Sequence, residues 1–402
     1  MKLNQIATLT NTITAEMLGD QAIGTEDLSN IVDIGQLVMN QANWYDQYVK
    51  TLMDHVGRVV VTNKEYVPKT YSRLWRESFE FGAILERLTV SLPDAEDNPA
   101  WDLQDQGNYN SEIFYKPTVA MNLFNVKDTF QVPISIVEDQ VKSAFSSREQ
   151  YIAFVDGIYT AVNGSIKIRL EQLAKRAVNS MAGLCYDDAI NGEGVNIPDG
   201  DNDGTIRYMN VLHMYNTAFN KTLTVNEAIH DPDFLRYFSY LIYLTSDRMR
   251  EVSKVFNITH EVRFTDKEDQ NIFMLSEIGK ALDVYLYSNT YHDEYVKLPG
   301  YETITAWQGI TDGTETFDFA DNSHIKVKIK SSDGTLSTCD MTGVVAMIFD
   351  REAVAITNEK QKVTAAYSAR GDFTTYYYKN ELGLLNDKSM NCVVFALVEE
   401  PG

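Results

Sequence analysis

SREQYIAFVDGIYTAVNGSIKIRLEQLAKRAVNSMAGLC, Ser147–Cys185, is the stretch on which the reading of the fold turns. Tyr151, Ile152, Phe154, Val155, Ile158, Tyr159 and Val162 recur at the spacing of a helical face, and Ile166, Ile168, Leu170, Leu173, Ala174 and Ala177 carry the pattern on. Ser147 followed by Gln150 has the form of a capping box, so the helix is expected to begin there. Gly157 and Gly164 lower the propensity without forbidding the helix. A helix of about forty residues is far longer than the globular average. It has the proportions of a spine for something larger.

Upstream, residues 79–134 read as a long β-hairpin, with an outgoing arm near Phe79–Val90 and a return arm near Glu112–Ile134 in which Val126, Asp128, Phe130 and Val132 alternate. Between them SLPDAEDNPAWDLQDQGNYN, Ser91–Asn110, carries Asp94, Glu96, Asp97, Asp102 and Asp105 and no Lys or Arg. A tip of this kind builds no core by itself. It is a solvated loop or a projection laid on a neighbour, and insertions of this length are usually functional. Asp94, Glu96, Asp97, Trp101, Asp102 and Asp105 are the expected interface residues. Residues 1–60 lack the composition of a domain. Their polar, Thr/Asn-rich start reads as an extended arm, followed by a helix over Asp33–His55 on the spacing of Ile34, Leu37, Val38, Tyr48, Val49 and Leu52.

Downstream, GEGVNIPDGDNDGT, Gly192–Thr205, is a loop. Residues 205–309 alternate helices and strands. Phe234, Leu235, Phe238, Leu241, Ile242, Met249, Val252 and Phe256 mark an amphipathic helix, and strands are expected at Asn271–Leu275 and Val284–Tyr287. The remainder is richer in strand signals, at Phe317–Phe319, Ile325–Ile329, Val344–Phe349, Val363–Tyr367, Phe373–Tyr378 and Cys392–Leu397. No internal repeat of fixed period is present. The class is α+β, with a helix-rich middle and a β-rich end.

Composition narrows the function. In 402 residues, 35 Lys and Arg face 57 Asp and Glu, a formal charge of −22, which is the reverse of the balance of a sequence-reading DNA binder. Cys185, Cys339 and Cys392 are far apart and form no C-x-x-C pair, which argues against a zinc site or disulfide framework and for a reducing compartment. The opening MKLNQIATLTNTITAEMLGD has one Lys and no apolar run, so it does not read as a signal peptide, and no apolar stretch of membrane-spanning length exists. Folding in a cytoplasm, without a membrane partner, is the expectation.

The chemical motifs are weak. Asp199, Asp201, Asp203 and Gly204 copy the start of an EF-hand loop, but the ninth position is Arg207 and the twelfth, where a bidentate Glu belongs, is Asn210. An Asp/Gly-rich surface turn is the better reading, with a weak calcium site at Asp199, Asp201 and Asp203 as the alternative. The six histidines form no H-E-x-x-H, and His230 and His292 have only adjacent carboxylates, which point away from the ring. No nucleophile elbow, P-loop or dinucleotide fingerprint is present. No catalytic residue and no cofactor is therefore expected. The 23 Tyr suit a core and interfaces, since no basic groove accompanies them as in a nucleic-acid stacking platform.

Four segments resemble the major capsid proteins of tailed phages of Gram-positive hosts. They are RFTDKEDQNIFMLSEIGKALD (Arg263–Asp283), TYHDEYVKLPGYETITAWQG (Thr290–Gly309), MIFDREAVAITNEKQKVTAAYSARGDFTTYYYK (Met347–Lys379) and NCVVFAL (Asn391–Leu397). The resemblance implies the HK-ninety-seven-like capsid fold. Its parts would be an N-terminal arm and helix over 1–60, a peripheral domain with the spine helix over 61–78 and 135–204, an E-loop hairpin over 79–134, an axial domain over 205–355, and closing strands of the peripheral domain over 356–402. It also implies self-assembly into pentamers and hexamers of an icosahedral head, made in the host cytoplasm and enclosing double-stranded DNA without sequence-specific binding. A separate scaffolding protein and a portal are the implied partners, because the N-terminal stretch lacks a charged helical block. An acidic subunit suits this role, since it avoids gripping the packed phosphates, and salt screens the remaining repulsion beyond about 8 Å. Two other readings stand beside it: an encapsulin-like nanocompartment shell and an acidic cytoplasmic hydrolase.

Overall fold

The computed structural model describes residues 3–18, 28–39, 47–53, 69–76, 85–90, 103, 105–107, 119–124, 126–191, 204–285, 300–308, 318–330, 336–371 and 373–399. In chain order the helices are α1 (Leu3–Leu18), α2 (Ile31–Met39), α3 (residues 47–53), α4 (Glu138–Ala144), α5 (Arg148–Asn191), α6 (Val211–Phe219), α7 (Val225–His230), α8 (Pro232–Arg248), α9 (Ser276–Tyr285) and α10 (Phe319–Asn322). The first strands are β1 (Trp75–Arg76), β2 (Leu85–Val90), β3 (Val119–Phe124), β4 (Val126–Val137), β5 (Gly204–Thr205), β6 (Tyr208–Asn210) and β7 (Gln270–Leu275). There follow β8 (Glu302–Ile304), β9 (Ile325–Lys330), β10 (Leu336–Met341), β11 (Val344–Asp350), β12 (Val354–Ser368), β13 (Phe373–Asn386) and β14 (Cys392–Ala396). The chain forms two compact units: Met1–Gly82 with Lys127–Ala174 and Ile356–Gly383, and Ala83–Val126 with Lys175–Ala355 and Leu384–Gly402.

The long helix α5 starts where Ser147 puts it: the Ser147 hydroxyl accepts the Gln150 N–H at 3.2 Å. Only half of the expected box forms, because the Gln150 side-chain oxygen accepts from Ser146 instead. The helix continues past Cys185 to Asn191, 44 residues in all. Residues up to Ala174 belong to the first unit and those from Lys175 to the second.

In the first unit the sheet order is β1-β12-β13-β4. Phe130, Val132, Ile134, Ile136, Val363, Tyr376 and Tyr378 turn from it toward a core that also takes Ile6, Ile13, Ile34, Leu52, Val155 and Ile158. Two expectations change here. The start of the chain is a helix, α1, rather than an extended arm. Its threonines hid it: the hydroxyls of Thr10, Thr12 and Thr14 donate to the carbonyls of Ile6, Thr8 and Thr10 at 2.8, 2.9 and 3.0 Å. The helix thereby absorbs the polarity that suggested an arm, and Ile6, Thr10, Ile13 and Thr14 form a buried stripe. Of the helix expected over Asp33–His55, residues 33–39 lie in α2 and 47–53 are helical as α3, while residues 40–46 and 54–55 lie outside the described set. The other change concerns the hairpin. Among the described residues only β3 returns against β2, whereas β4 joins β13 in the four-stranded sheet, because its alternating apolar residues face the first core.

The second unit is built on a sheet of order β5-β6-β14-β11-β7-β8. Strands β7, β11 and β14 are buried at every position, as expected of runs covered on both faces. Phe234, Phe238, Leu241 and Ile242 of α8 pack with Ile348 and Phe395 of the sheet. Trp307, 1% exposed, donates its indole N–H to the Val344 carbonyl at 2.8 Å, and its own carbonyl accepts from Asn179 at 2.8 Å. Gly183 lets the β9–β10 hairpin approach α5, since a Cβ there would stand 2.7 Å from Val327. Gly343 holds φ +77°, and a Cβ there would meet the Leu397 carbonyl oxygen at 2.0 Å.

Other differences are local. Val284 and Tyr285, expected in a strand, end α9, whose Ile278, Ala281 and Leu282 are buried at helical spacing. Phe319 opens α10, capped by the Asp318 carboxylate accepting the Asp321 N–H at 2.9 Å, so the strand expected over Phe317–Phe319 is absent there and Phe317 lies outside the described residues. The amphipathic helix ends at Arg248, before Val252 and Phe256. Strands β12 and β13 extend well beyond the expected Val363–Tyr367 and Phe373–Tyr378.

In the first core, the Tyr151 hydroxyl stands 2.6 Å from that of Tyr48 and 3.0 Å from that of Thr10, joining α1, α3 and α5. Burial raises both phenols above their ordinary value of 10.0. The unfolded chain therefore releases these protons first, so their contribution to stability is complete below pH 10 and is lost as pH rises from there through the folded values. The urea midpoint is expected to fall steeply above about pH 10, and less steeply in a Tyr48→Phe/Tyr151→Phe double variant. Tyr151→Phe alone should cost about 1–2 kcal/mol at neutral pH by leaving buried hydroxyls unpaired.

Candidate assembly surfaces

The hairpin β2–β3 runs in register from Leu85↔Phe124 to Val90↔Val119, and the two strands form a sheet of their own. Residues 91–118 connect them. Its root is held by Arg87, which donates to the Asp387 carboxylate at 2.5 Å and to that of Glu352. Asp387 is fully buried, and its other oxygen accepts the Ser389 N–H and hydroxyl at 2.9 and 2.8 Å. Its own N–H donates to the Ala353 carbonyl at 2.8 Å. A carboxylate without water needs both the guanidinium and the two Ser389 donors. Removing the guanidinium strands that charge, which makes Arg87 the fastener of the hairpin to the strand ends around it.

The expected interface residues divide. Asp105 lies in an exposed turn beside Leu103, which is 65% exposed. Asp94, Glu96, Asp97, Trp101 and Asp102 lie outside the described residues. Sequence reasoning missed Arg87, Glu352 and Asp387, because the two carboxylates are 265 and 300 residues away from the arginine and belong to no motif.

The EF-hand resemblance leads elsewhere. Asp199, Asp201 and Asp203 lie outside the described residues, while Gly204 begins β5. Arg207, at the ninth position, is buried and bonds Asp188 at 2.5 Å and the Val255 carbonyl at 3.0 Å. Asn210, at the twelfth, caps α6 through the His213 N–H and ties down Val398 in both directions. Both residues that spoil the calcium pattern thus hold the second unit together. Among the described residues, no cluster of three or more His, Cys, Asp or Glu is placed to hold a metal ion.

All three cysteines are free and buried. The Sγ atoms of Cys185 and Cys392 are 3.2 Å apart, a thiol pair between α5 and β14. Burial and then the neighbouring Cys185 thiol push the Cys392 thiol well up, and burial raises the Cys339 thiol. The second unit also carries an open groove of about 580 Å³ lined by Ile206, Met209, Val252, Val255 and Phe256 with Arg248. No described helix is long and apolar enough to cross a membrane.

In fold the chain is similar to a chain in the structure of the head fibre and inner core protein of native bacteriophage P68, at 11% identity, with 80% of this chain and 83% of that chain covered and a TM-score of 0.50. A chain in the capsid structure of Staphylococcus phage Andhra is similar at 12% identity, with 81% and 83% covered and a TM-score of 0.48. No curated protein matches the sequence. The likeness to the P68 chain is one of fold, a mixed architecture of helix and sheet. The class is set by the sequence: the profile of the Phi29-like phage major capsid protein family matches residues 10–396, and the chain belongs to that family. It is a major capsid protein, a component of a multi-subunit virion shell. The match does not favour a nanocompartment shell or a hydrolase.

Two outcomes follow from these contacts. Arg87→Ala is expected to lower stability by about 3 kcal/mol, the low end for stranding a buried carboxylate because the arginine itself is partly exposed. Denaturant titration measures this, and a loss below about 1 kcal/mol would show that Asp387 finds another partner. In native protein the three thiols should resist iodoacetamide and react only on unfolding, as mass spectrometry would report.

Proposed function

We propose that this major capsid protein assembles through pentamers and hexamers into an icosahedral head enclosing double-stranded DNA, in a purely structural role. The observation that carries the proposal is the hairpin. Among the described residues its strands pair only with each other, its root is bolted to buried Asp387, and it presents a connection rich in carboxylates. A device of that design serves a neighbour better than its own core. On this reading the hairpin β2–β3 with its connection, within the expected 79–134, is the E-loop. Residues 61–78 and 135–204 form the peripheral domain and its spine, 205–355 the axial domain, 356–402 the closing strands, and 1–60 the arm region. Asp94, Glu96, Asp97, Trp101, Asp102 and Asp105 are the contact residues on the neighbour. The charge of −22 supports passive enclosure of DNA, because a subunit of that sign does not grip phosphate. A scaffolding protein and a portal complete the partners the role requires.

Negative-stain microscopy of the purified chain, alone and with the candidate scaffolding protein, tests the assembly. Rings of five and six or closed shells are the expected result. Discrete small particles under both conditions would overturn it.

A further inference from the structure

The four-stranded sheet of the first unit has one face against its core and one turned away. Val363, Tyr376, Tyr378, Phe130, Val132 and Ile134 pack on the core side. Since side chains alternate along a strand, Lys360 and Lys362 of β12, Lys379 of β13 and Lys127 of β4 share the other face. These three strands are neighbours in the sheet, and the four lysines are exposed. The carboxylate among them, Glu381, is taken by Lys127 at 3.1 Å. Among the described residues Lys360, Lys362 and Lys379 have no ion pair; Lys379 lies only over the Tyr377 ring, 5.9 Å from its centroid. Lys360, Lys362 and Lys379 border an open hollow of about 520 Å³ whose lining also includes Thr129, Gln131 and Phe130. In a chain of charge −22 this face is strongly positive.

We infer that this lysine-bearing sheet face is a receiving surface for an anionic protein segment, and that the segment is Ser91–Asn110 of a second copy. The inference rests on the reading of the hairpin as a projection onto a neighbour. Charge complementarity selects the occupant: the segment carries Asp94, Glu96, Asp97, Asp102 and Asp105 and no cation. The Tyr377 ring, on this face beside Lys379, distinguishes it from a site for duplex phosphate. Phosphates need cations and hydroxyls, whereas an aromatic ring also accommodates an apolar side chain, and the segment brings Trp101 and Leu103 among its carboxylates. A shell of many copies with this net charge also needs places where its acidic surfaces meet cations. Charge pairing of this kind sets register and partner choice more than raw affinity.

The test is a charge-swap cycle in the full chain, scored by particle yield. Reversing the face (Lys360→Glu, Lys362→Glu, Lys379→Glu) or the segment (Asp94→Lys, Glu96→Lys, Asp97→Lys) should each lower the yield by about tenfold or more, and the two combined should restore most of it. Failure of the combination to restore yield overturns the inference. Loss of assembly on reversing the segment but not the face also overturns it, while leaving the hairpin reading intact. No effect of either reversal removes both. Full yield of empty shells with poorer DNA retention would assign the face to phosphate instead, and overturn the inference too. To guard against variants that do not fold, subunits bearing only Lys362→Cys are mixed with subunits bearing only Glu96→Cys, assembled and mildly oxidised. A disulfide-linked dimer in the assembled fraction is expected, and its absence there overturns the inference.

Discussion

A helix of 44 residues cannot bury its apolar face against itself. That constraint orders the rest of the chain. From Tyr151 to Ile166 the buried side chains of α5 meet α1, α2, α3 and the Tyr-rich strand β13. Further on, Gly183 gives up its side chain so that β9 and β10 can close on the helix, and Asn179 reaches the Trp307 carbonyl. Each half of the helix is therefore less an element with a preference of its own than a surface on which distant stretches of its own unit are gathered. Most helical stability in proteins comes from such packing rather than from propensity, which explains how α5 tolerates Gly157 and Gly164.

What the sequence made legible follows from this. The spacing from Tyr151 to Ala177 and the cap at Ser147 placed α5, and the apolar runs at Ile272–Leu275, Val344–Phe349 and Cys392–Ala396 placed strands because burial on both faces leaves a continuous signature. Helix α1 was illegible because threonine is a poor helix former in isolation, and nothing local shows that its hydroxyls bond back to the preceding turn. The first part of β12 was illegible because Lys360 and Lys362 alternate with residues whose burial depends on a distant core. The clamp at Arg87 could not be found at all: a lone arginine in Leu85–Val90 carries no sign of a carboxylate three hundred positions later. The calcium motif misled for the opposite reason, since local spacing was present and the ligands at its end were committed to other work.

The electrostatics of the chain are those of a protein that must be soluble alone and adhesive in company. Its surplus of carboxylates keeps free subunits apart. The cations that remain are unevenly distributed. Some are locked inside the fold, as Arg207 is on Asp188, and others stand together on one face of the four-stranded sheet. Such a division lets association depend on a few oriented contacts rather than on general stickiness.

The fastening of the hairpin has a consequence in time. Arg87 is made early, and Asp387, which holds it, follows 300 residues later. At about 5–20 residues per second a ribosome needs roughly 15–60 s to span that interval. Throughout it, β2 and β3 can pair but the carboxylate that fixes their root does not yet exist. On the proposed reading of the hairpin as a projection onto a neighbour, a nascent subunit has no fastened hairpin to offer until its last strands have left the ribosome.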